Sequence, residues 1–179
     1  TAIFYSISNC QAGLAGISFG NFLIKQVVDA LSAELPHIRN FATLSPIPGL
    51  CRWIDRLTDE TRPEFLDREA AAALAAPDWP HDHMARPGLR KPLLRLCARY
   101  LTGISDAGLP IDPVARFHLG NGASVERINW AGDLSDKGLG QSAGIMVNYR
   151  YDPDQIVANH EAFVGEGKIA MSSHVKNLL

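Results

Sequence analysis

A hydroxyl at Ser45 and an imidazole at His118 are the first side chains in this sequence whose types and settings suit chemistry. Ser45 ends a strand-like run directly before Pro46, a placement that would expose its hydroxyl at a sheet edge. No G-x-S-x-G surrounds it, so it is not a nucleophile elbow, and a serine so placed more often only starts a turn. His118 stands between Phe117 and Leu119 in a run that alternates like a strand, so its ring should face away from those two apolar side chains. Imidazole titrates near neutral pH and suits proton transfer, although a lone strand histidine is more often structural.

A third candidate is Asn9-Cys10-Gln11-Ala12-Gly13-Leu14-Ala15-Gly16, between a strand-like run and a long amphipathic one. Small residues before a helix leave backbone N–H groups free at the positive end of the helix dipole, a natural seat for phosphate or pyrophosphate. The segment has neither the G-K-[ST] of a P-loop nor G-x-G-x-x-G, so Gly13 and Gly16 merely turning the chain is an equal reading. His81 and His83 flank Asp82 in a proline-rich stretch with no third ligand in sequence, which favours solvated loop histidines over a metal site. His160-Glu161 lacks the second histidine of H-E-x-x-H and reads as a surface or capping pair. Cys10, Cys51 and Cys97 are odd in number and lack C-x-x-C spacing, so they signal neither a disulfide framework nor a zinc knuckle and fit a reducing compartment.

Periodicity predicts the elements that must position these groups. Residues 2–8, rich in β-branched and aromatic types, read as a buried strand. Residues 17–35 read as a long amphipathic helix, with Phe22, Leu23, Val27, Leu31 and Leu35 near helical spacing and Pro36 beyond its end. A second strand covers 37–44, helices cover 50–57 and 63–76, a proline-rich loop covers 78–88, and another helix covers 91–102. The last third changes to three short strands, 115–119, 125–130 and 145–149, separated by Gly-Asn-Gly and Gly-Leu-Gly turns, with a helix at 153–164. Residues 168–179 carry no clear signal. Trp53, Trp79 and Trp130 are most simply core or interface residues. The order is α/β with mixed strand connections rather than a regular βαβ series.

The 179 residues are 46% hydrophobic and 20% charged, which excludes a disordered tail, a collagen-like repeat and a coiled coil. One domain is expected, since a chain of this length can bury roughly 70% of the surface it would expose unfolded. Seventeen Lys+Arg against nineteen Asp+Glu leave a net charge of -2, which supplies no cationic field for nucleic acid or anionic lipid. Neither is an expected partner. No apolar run approaches the ~18 residues of a membrane span, and no basic residue precedes Lys25 as in a signal peptide, so a cytoplasmic location is the default expectation. The chain opens on its first strand without Met or cap, as a later part of a longer chain would.

Several blocks occur in a telling order: Phe4-Tyr5-Ser6-Ile7-Ser8, then Gly13-Leu14-Ala15-Gly16 leading into Phe22-Leu23-Ile24-Lys25, then Leu44-Ser45-Pro46-Ile47-Pro48-Gly49. Phe117-His118-Leu119-Gly120-Asn121-Gly122-Ala123, Ile128-Asn129-Trp130 and Met146-Val147-Asn148-Tyr149-Arg150-Tyr151 follow. From residue 4 to about 151 they resemble the catalytic domain of malonyl-CoA decarboxylase. The resemblance implies an α+β fold of the GNAT type, a mixed β-sheet flanked by helices that splays to admit acyl-CoA. Residues 1–179 would then be the C-terminal part of that domain, lacking its first strands and the family's helical N-terminal domain. It also implies that Gln11, Gly13, Leu14, Ala15 and Gly16 bind the CoA pyrophosphate. The superfamily places Arg or Gln three residues before the first loop glycine; here that position is Cys10, with Gln11 one place later, so the contact falls mostly to backbone. Some family members carry glutamate where this chain has Ser18. The family's catalytic serine and histidine fall on Ser45 and His118, and a tyrosine lining its site falls on Tyr151.

Those assignments imply decarboxylation of malonyl-CoA to acetyl-CoA and CO2 with no cofactor or metal, because the thioester itself accepts the electrons as an enolate. A hydrogen-bond donor aimed at such an oxyanion is worth about 3 kcal/mol. One of Ser45 and His118 would hold the thioester oxygen while the other orients the carboxylate; His118 would then protonate C2, with the reverse assignment open. Expected partners are malonyl-CoA and acetyl-CoA, further copies in a homo-oligomer, and the chain's own N-terminal portion. Two other readings are a GNAT-type acyltransferase acting on an amine, for which no acceptor feature is visible, and a non-catalytic acyl-CoA sensor, against which Ser45 and His118 together argue. A Ser-His hydrolase is weakest: no acidic third member is recognisable, and Pro46 removes an N–H such enzymes use.

Overall fold

The computed structural model describes residues 1–5, 20–82, 86–105 and 108–179, the side chains of 20–23 aside. Strands β1 (Ala2–Tyr5), β2 (Phe41–Pro46), β3 (Ser124–Asn129) and β4 (Met146–Tyr151) form one sheet in the order β1-β2-β4-β3. β1 and β2 are parallel, and helix α1 (Gly20–Glu34) lies in their connection; β2–β4 and β3–β4 are antiparallel. This is the mixed sheet among helices that the sequence predicts.

Side-chain alternation decides which face of the sheet is core. Phe41, Thr43 and Ser45 on β2, and Val147, Tyr149 and Tyr151 on β4, are buried, while the residues between them are partly exposed. β3 holds the same face through a register shift between Val125 and Arg127, which lets Val125 and Ile128 both turn inward despite their odd spacing. α1 buries Ile24 and Val28 one turn apart. α5 (Arg90–Thr102) packs on α2 (Leu50–Ile54) and on β3, burying Leu93, Leu96, Cys97 and Leu101. α3 (Arg68–Leu74) is capped by Asp67 and packs on α4 (Trp79–Asp82). The buried apolar side chains form one connected core.

His118 is on a helix, not a strand. Residues Pro113–Gly120 form α6: the Asp112 carboxylate accepts the Ala115 N–H at 2.7 Å, Pro113 takes the first turn, and Gly122 follows the helix end with φ 79°. The apolar pair around His118 imitates strand alternation, but the Asp-Pro start and Asn-Gly stop prevail. Ala115, His118 and Leu119, at helical spacing, form the buried stripe. Ser45 is not at an exposed edge either: β2 lies between β1 and β4, and Ser45 is 4% exposed.

Gly138-Leu139-Gly140 is likewise helical rather than a turn, inside α7 (Asp136–Ser142), where Ser135 caps by accepting the Gly138 N–H. The 78–88 stretch holds α4 and a 3₁₀ turn at Pro87–Leu89, because Trp79 is buried and donates its indole N–H to Asp55 at 3.0 Å. The helices expected at 50–57 and 63–76 are shortened to α2 and α3. After α8 (Ile156–Glu166), Met171 bridges to Val125 and α9 (Ser173–Lys176) packs on β3. Cys51 and Cys97 are buried free thiols, and burial pushes Cys51 up to about 12, so it is inert. Among the described residues no helix is long and apolar enough to cross a membrane, and no cluster of His, Cys, Asp or Glu is placed to hold a metal. His81 is exposed on α4, and His83 lies outside the described residues.

Candidate active site

β2, β4 and α6 bring together Ser45, His118 and Tyr151, residues separated by up to 106 positions in the chain. Ser45 sits one residue past the last β1–β2 partner pair of the described strands, Tyr5 with Leu44, and opposite Val147 of β4. His118 reaches it from the last turn of α6, with Nε2 at 3.3 Å from Ser45 Oγ. Its other nitrogen, Nδ1, is 2.8 Å from the Tyr151 hydroxyl. Ser45 in turn donates its hydroxyl to Thr43 Oγ1 at 2.8 Å, two residues back on the same face of β2.

Aromatic rings fix the imidazole plane. Tyr149 stacks on it with centroids 4.4 Å apart, while Phe117 and Tyr151 meet it edge-on. His118 is 2% exposed, and burial holds its pKa down at about 4, so the ring is neutral at pH 7. Burial also raises the Tyr149 and Tyr151 hydroxyls above the ordinary phenol range, and both keep their protons. Each of these three groups is therefore buried and uncharged at neutral pH. Since Nδ1 meets a phenol and not a carboxylate, the arrangement is not a Ser-His-Asp triad.

α6 is fastened at both ends. Buried Asp112 caps its start, and α8 holds its end: His160 Nδ1 donates to the Gly120 carbonyl at 2.8 Å, and Asn159 Nδ2 to the Gly122 carbonyl at 3.2 Å. His160 is thus a capping residue, one of the two roles its sequence setting suggested. Gly122 has no alternative here, since a Cβ would run into the Ile156 backbone.

Of the residues singled out in the sequence, Ser45, His118 and Tyr151 converge. Gln11, Gly13, Leu14, Ala15 and Gly16, with Cys10 and Ser18, lie outside the described residues. Thr43 and Tyr149 were missed, although the signal was present: each stands two residues from a recognised partner, Ser45 or Tyr151, and therefore shares its strand face. Chemically, the cluster offers a hydroxyl and a neutral imidazole that can donate to a carbonyl oxygen or a carboxylate in a water-poor setting.

A family model described as the malonyl-CoA decarboxylase C-terminal domain matches residues 1–179. The protein named malonyl-CoA decarboxylase, mitochondrial, of Anser anser anser is 40% identical over 98% of this chain and 39% of its own length. That of Rattus norvegicus is 39% identical over 99% of this chain and 40% of its own. The crystal structure of malonyl-CoA decarboxylase from Rhodopseudomonas palustris superposes with a TM-score of 0.86 at 49% identity, over 98% of this chain and 41% of that one. The structure from Agrobacterium vitis gives 0.87 at 49% identity, over 98% and 44%. The chain therefore spans about two fifths of the length of the curated relatives it matches. With its sheet, its helices and the Ser45, His118 and Tyr151 cluster all in the matched span, this chain belongs to the malonyl-CoA decarboxylase family and corresponds to its C-terminal domain.

Proposed function

We propose that this chain supplies the reacting pair of an enzyme that converts malonyl-CoA to acetyl-CoA and CO2, and that residues 1–179 are the later part of its catalytic domain. The observation that carries the reading is the convergence of Ser45, His118 and Tyr151 in one buried, hydrogen-bonded cluster where the described β1–β2 pairing ends. In the reaction the bond between C2 and the carboxylate breaks, its electrons pass into the thioester carbonyl, and CO2 leaves. The enolate then takes a proton at C2. Moving a carboxylate into an apolar site favours the loss of its charge as neutral CO2.

One of Ser45 and His118 holds the thioester oxygen and the other orients the carboxylate, so that the breaking bond overlaps the carbonyl π system. His118 then delivers its ring proton to C2 and regains one from solvent; the enolate carbon is a far stronger base than the imidazolate so formed, so a neutral ring suffices. Tyr151 keeps the ring in place from Nδ1. No organic cofactor or metal is required, because the thioester is its own electron sink. Gln11, Gly13, Leu14, Ala15 and Gly16, which precede α1 in the sequence, hold the CoA pyrophosphate.

The test is turnover by the full-length protein with malonyl-CoA as sole substrate, following CO2 and acetyl-CoA. Equal amounts of both products are expected, with Ser45→Ala and His118→Ala each reducing kcat by about a hundredfold or more. Intact malonyl-CoA despite measurable binding, or an acylated amine with free CoA, would overturn the reading.

A further inference from the structure

The ladder between β2 and β4 opens at one place. Partner pairs run Phe41 with Tyr151 and Ala42 with Arg150, then resume in the same register at Ser45 with Val147. Across the interval Thr43 inserts its own side chain. Tyr149 N–H donates to Thr43 Oγ1 at 3.1 Å, and Asn148 Nδ2 donates to the Thr43 carbonyl at 2.6 Å. Asn148 is itself held by Asn129, whose Nδ2 donates to its Oδ1 at 2.7 Å. Thr43 is fully buried, so its hydroxyl is fixed by the sheet and not by solvent.

Two donors converge on that oxygen, Tyr149 N–H and Ser45 O–H, and a hydroxyl oxygen has two lone pairs. Its own proton therefore points away from Ser45. Ser45 has one proton, and Thr43 takes it. The contact between Ser45 Oγ and His118 Nε2 then needs the nitrogen as donor, which leaves Nδ1 of the neutral ring bare to accept the Tyr151 O–H. The chain Tyr151 to His118 to Ser45 to Thr43 donates in one direction throughout. Reversed, Ser45 would donate to Nε2, the arrangement of a nucleophile with its base.

We infer that Thr43 is a positioning residue: by taking the Ser45 proton it sets His118 as the tautomer with hydrogen on Nε2, so that the ring stands in the site as a proton donor and not as a base for a Ser45 nucleophile. This rests on Ser45 and His118 being the reacting pair. The test is 15N NMR of the full-length protein labelled only at histidine, with His118→Gln identifying the ring. The wild-type ring carries its proton on Nε2. In Thr43→Val the freed Ser45 hydroxyl turns to Nε2 and the ring proton moves to Nδ1, with no change of charge; Thr43→Ser retains the wild-type tautomer. In parallel, kcat on malonyl-CoA falls about tenfold or more in Thr43→Val with little change in KM, and recovers in Thr43→Ser. A wild-type ring protonated on Nδ1 overturns the inference. A Thr43→Val ring still protonated on Nε2 also overturns it. The spectrum needs no substrate, so an Nε2-protonated ring in a protein that leaves malonyl-CoA intact counts against the decarboxylase reading and for the role of Thr43.

Discussion

A histidine whose pKa is held at about 4 is uncharged at neutral pH, and that neutrality makes the fold sensitive to acid. In the unfolded chain the ring binds its proton near 6.5, so between about pH 6.5 and 4 unfolding takes up a proton. The contribution of His118 is therefore complete above pH 6.5 and lost progressively as pH falls toward 4. Between pH 7 and 4.5 the loss amounts to about 2 to 3 kcal/mol. Chemical unfolding of the wild type and His118→Gln at both pH values checks this: the variant should lose less stability in acid by that amount, and equal losses would contradict a depressed pKa. At this scale Ser45, His118 and Tyr151 were legible because each sits in a distinctive block of sequence. The face that Thr43 shares with Ser45 was legible from their spacing, but its bonds to Asn148 and Tyr149 on β4, 105 and 106 residues away, were not, since only the strand register brings them to it.

α6 shows what decides an element when two local signals conflict. A five-residue run fits strand and helix alike, so periodicity over 115–119 could not settle it, and the flanking cap and stop residues did. Ser135 capping α7 is a second case of the same signal overriding glycine-rich composition. The long helices α1 and α5, whose periodic stretches leave no such ambiguity, were legible to within a few residues. Asp112 is accordingly the residue that makes α6 a helix, and Asp112→Ala should lower unfolding stability by about 1 to 2 kcal/mol. Asp112→Asn should cost much less: its amide oxygen still accepts the Ala115 N–H, and burial already raises the Asp112 carboxyl toward its neutral form. Urea unfolding of the two variants separates them, and equal losses would mean that the cap contributes little.

Over the whole molecule, the order of elements foretold an α/β fold, and the mixed sheet among helices bears that out within the described residues. That order could not foretell which apolar residues stay in water. β1, an outer strand of the described sheet, leaves Ile3 47% and Tyr5 75% exposed on one face. Such an edge is a template for pairing, so the 179-residue chain on its own should self-associate as concentration rises. Ile3→Lys with Tyr5→Lys should shift it toward monomer in sedimentation velocity, and an unchanged distribution would place the association elsewhere. The core reaches the chemistry from both sides. Ser45 and Tyr151 stand on inner strands, and the helix bearing His118 is tied at one end by Asp112 and at the other by α8. Among the described residues no hinge separates this cluster from the core, so the proposed turnover should be lost on heating at the temperature that melts the core, leaving no interval in which the protein is folded but inert.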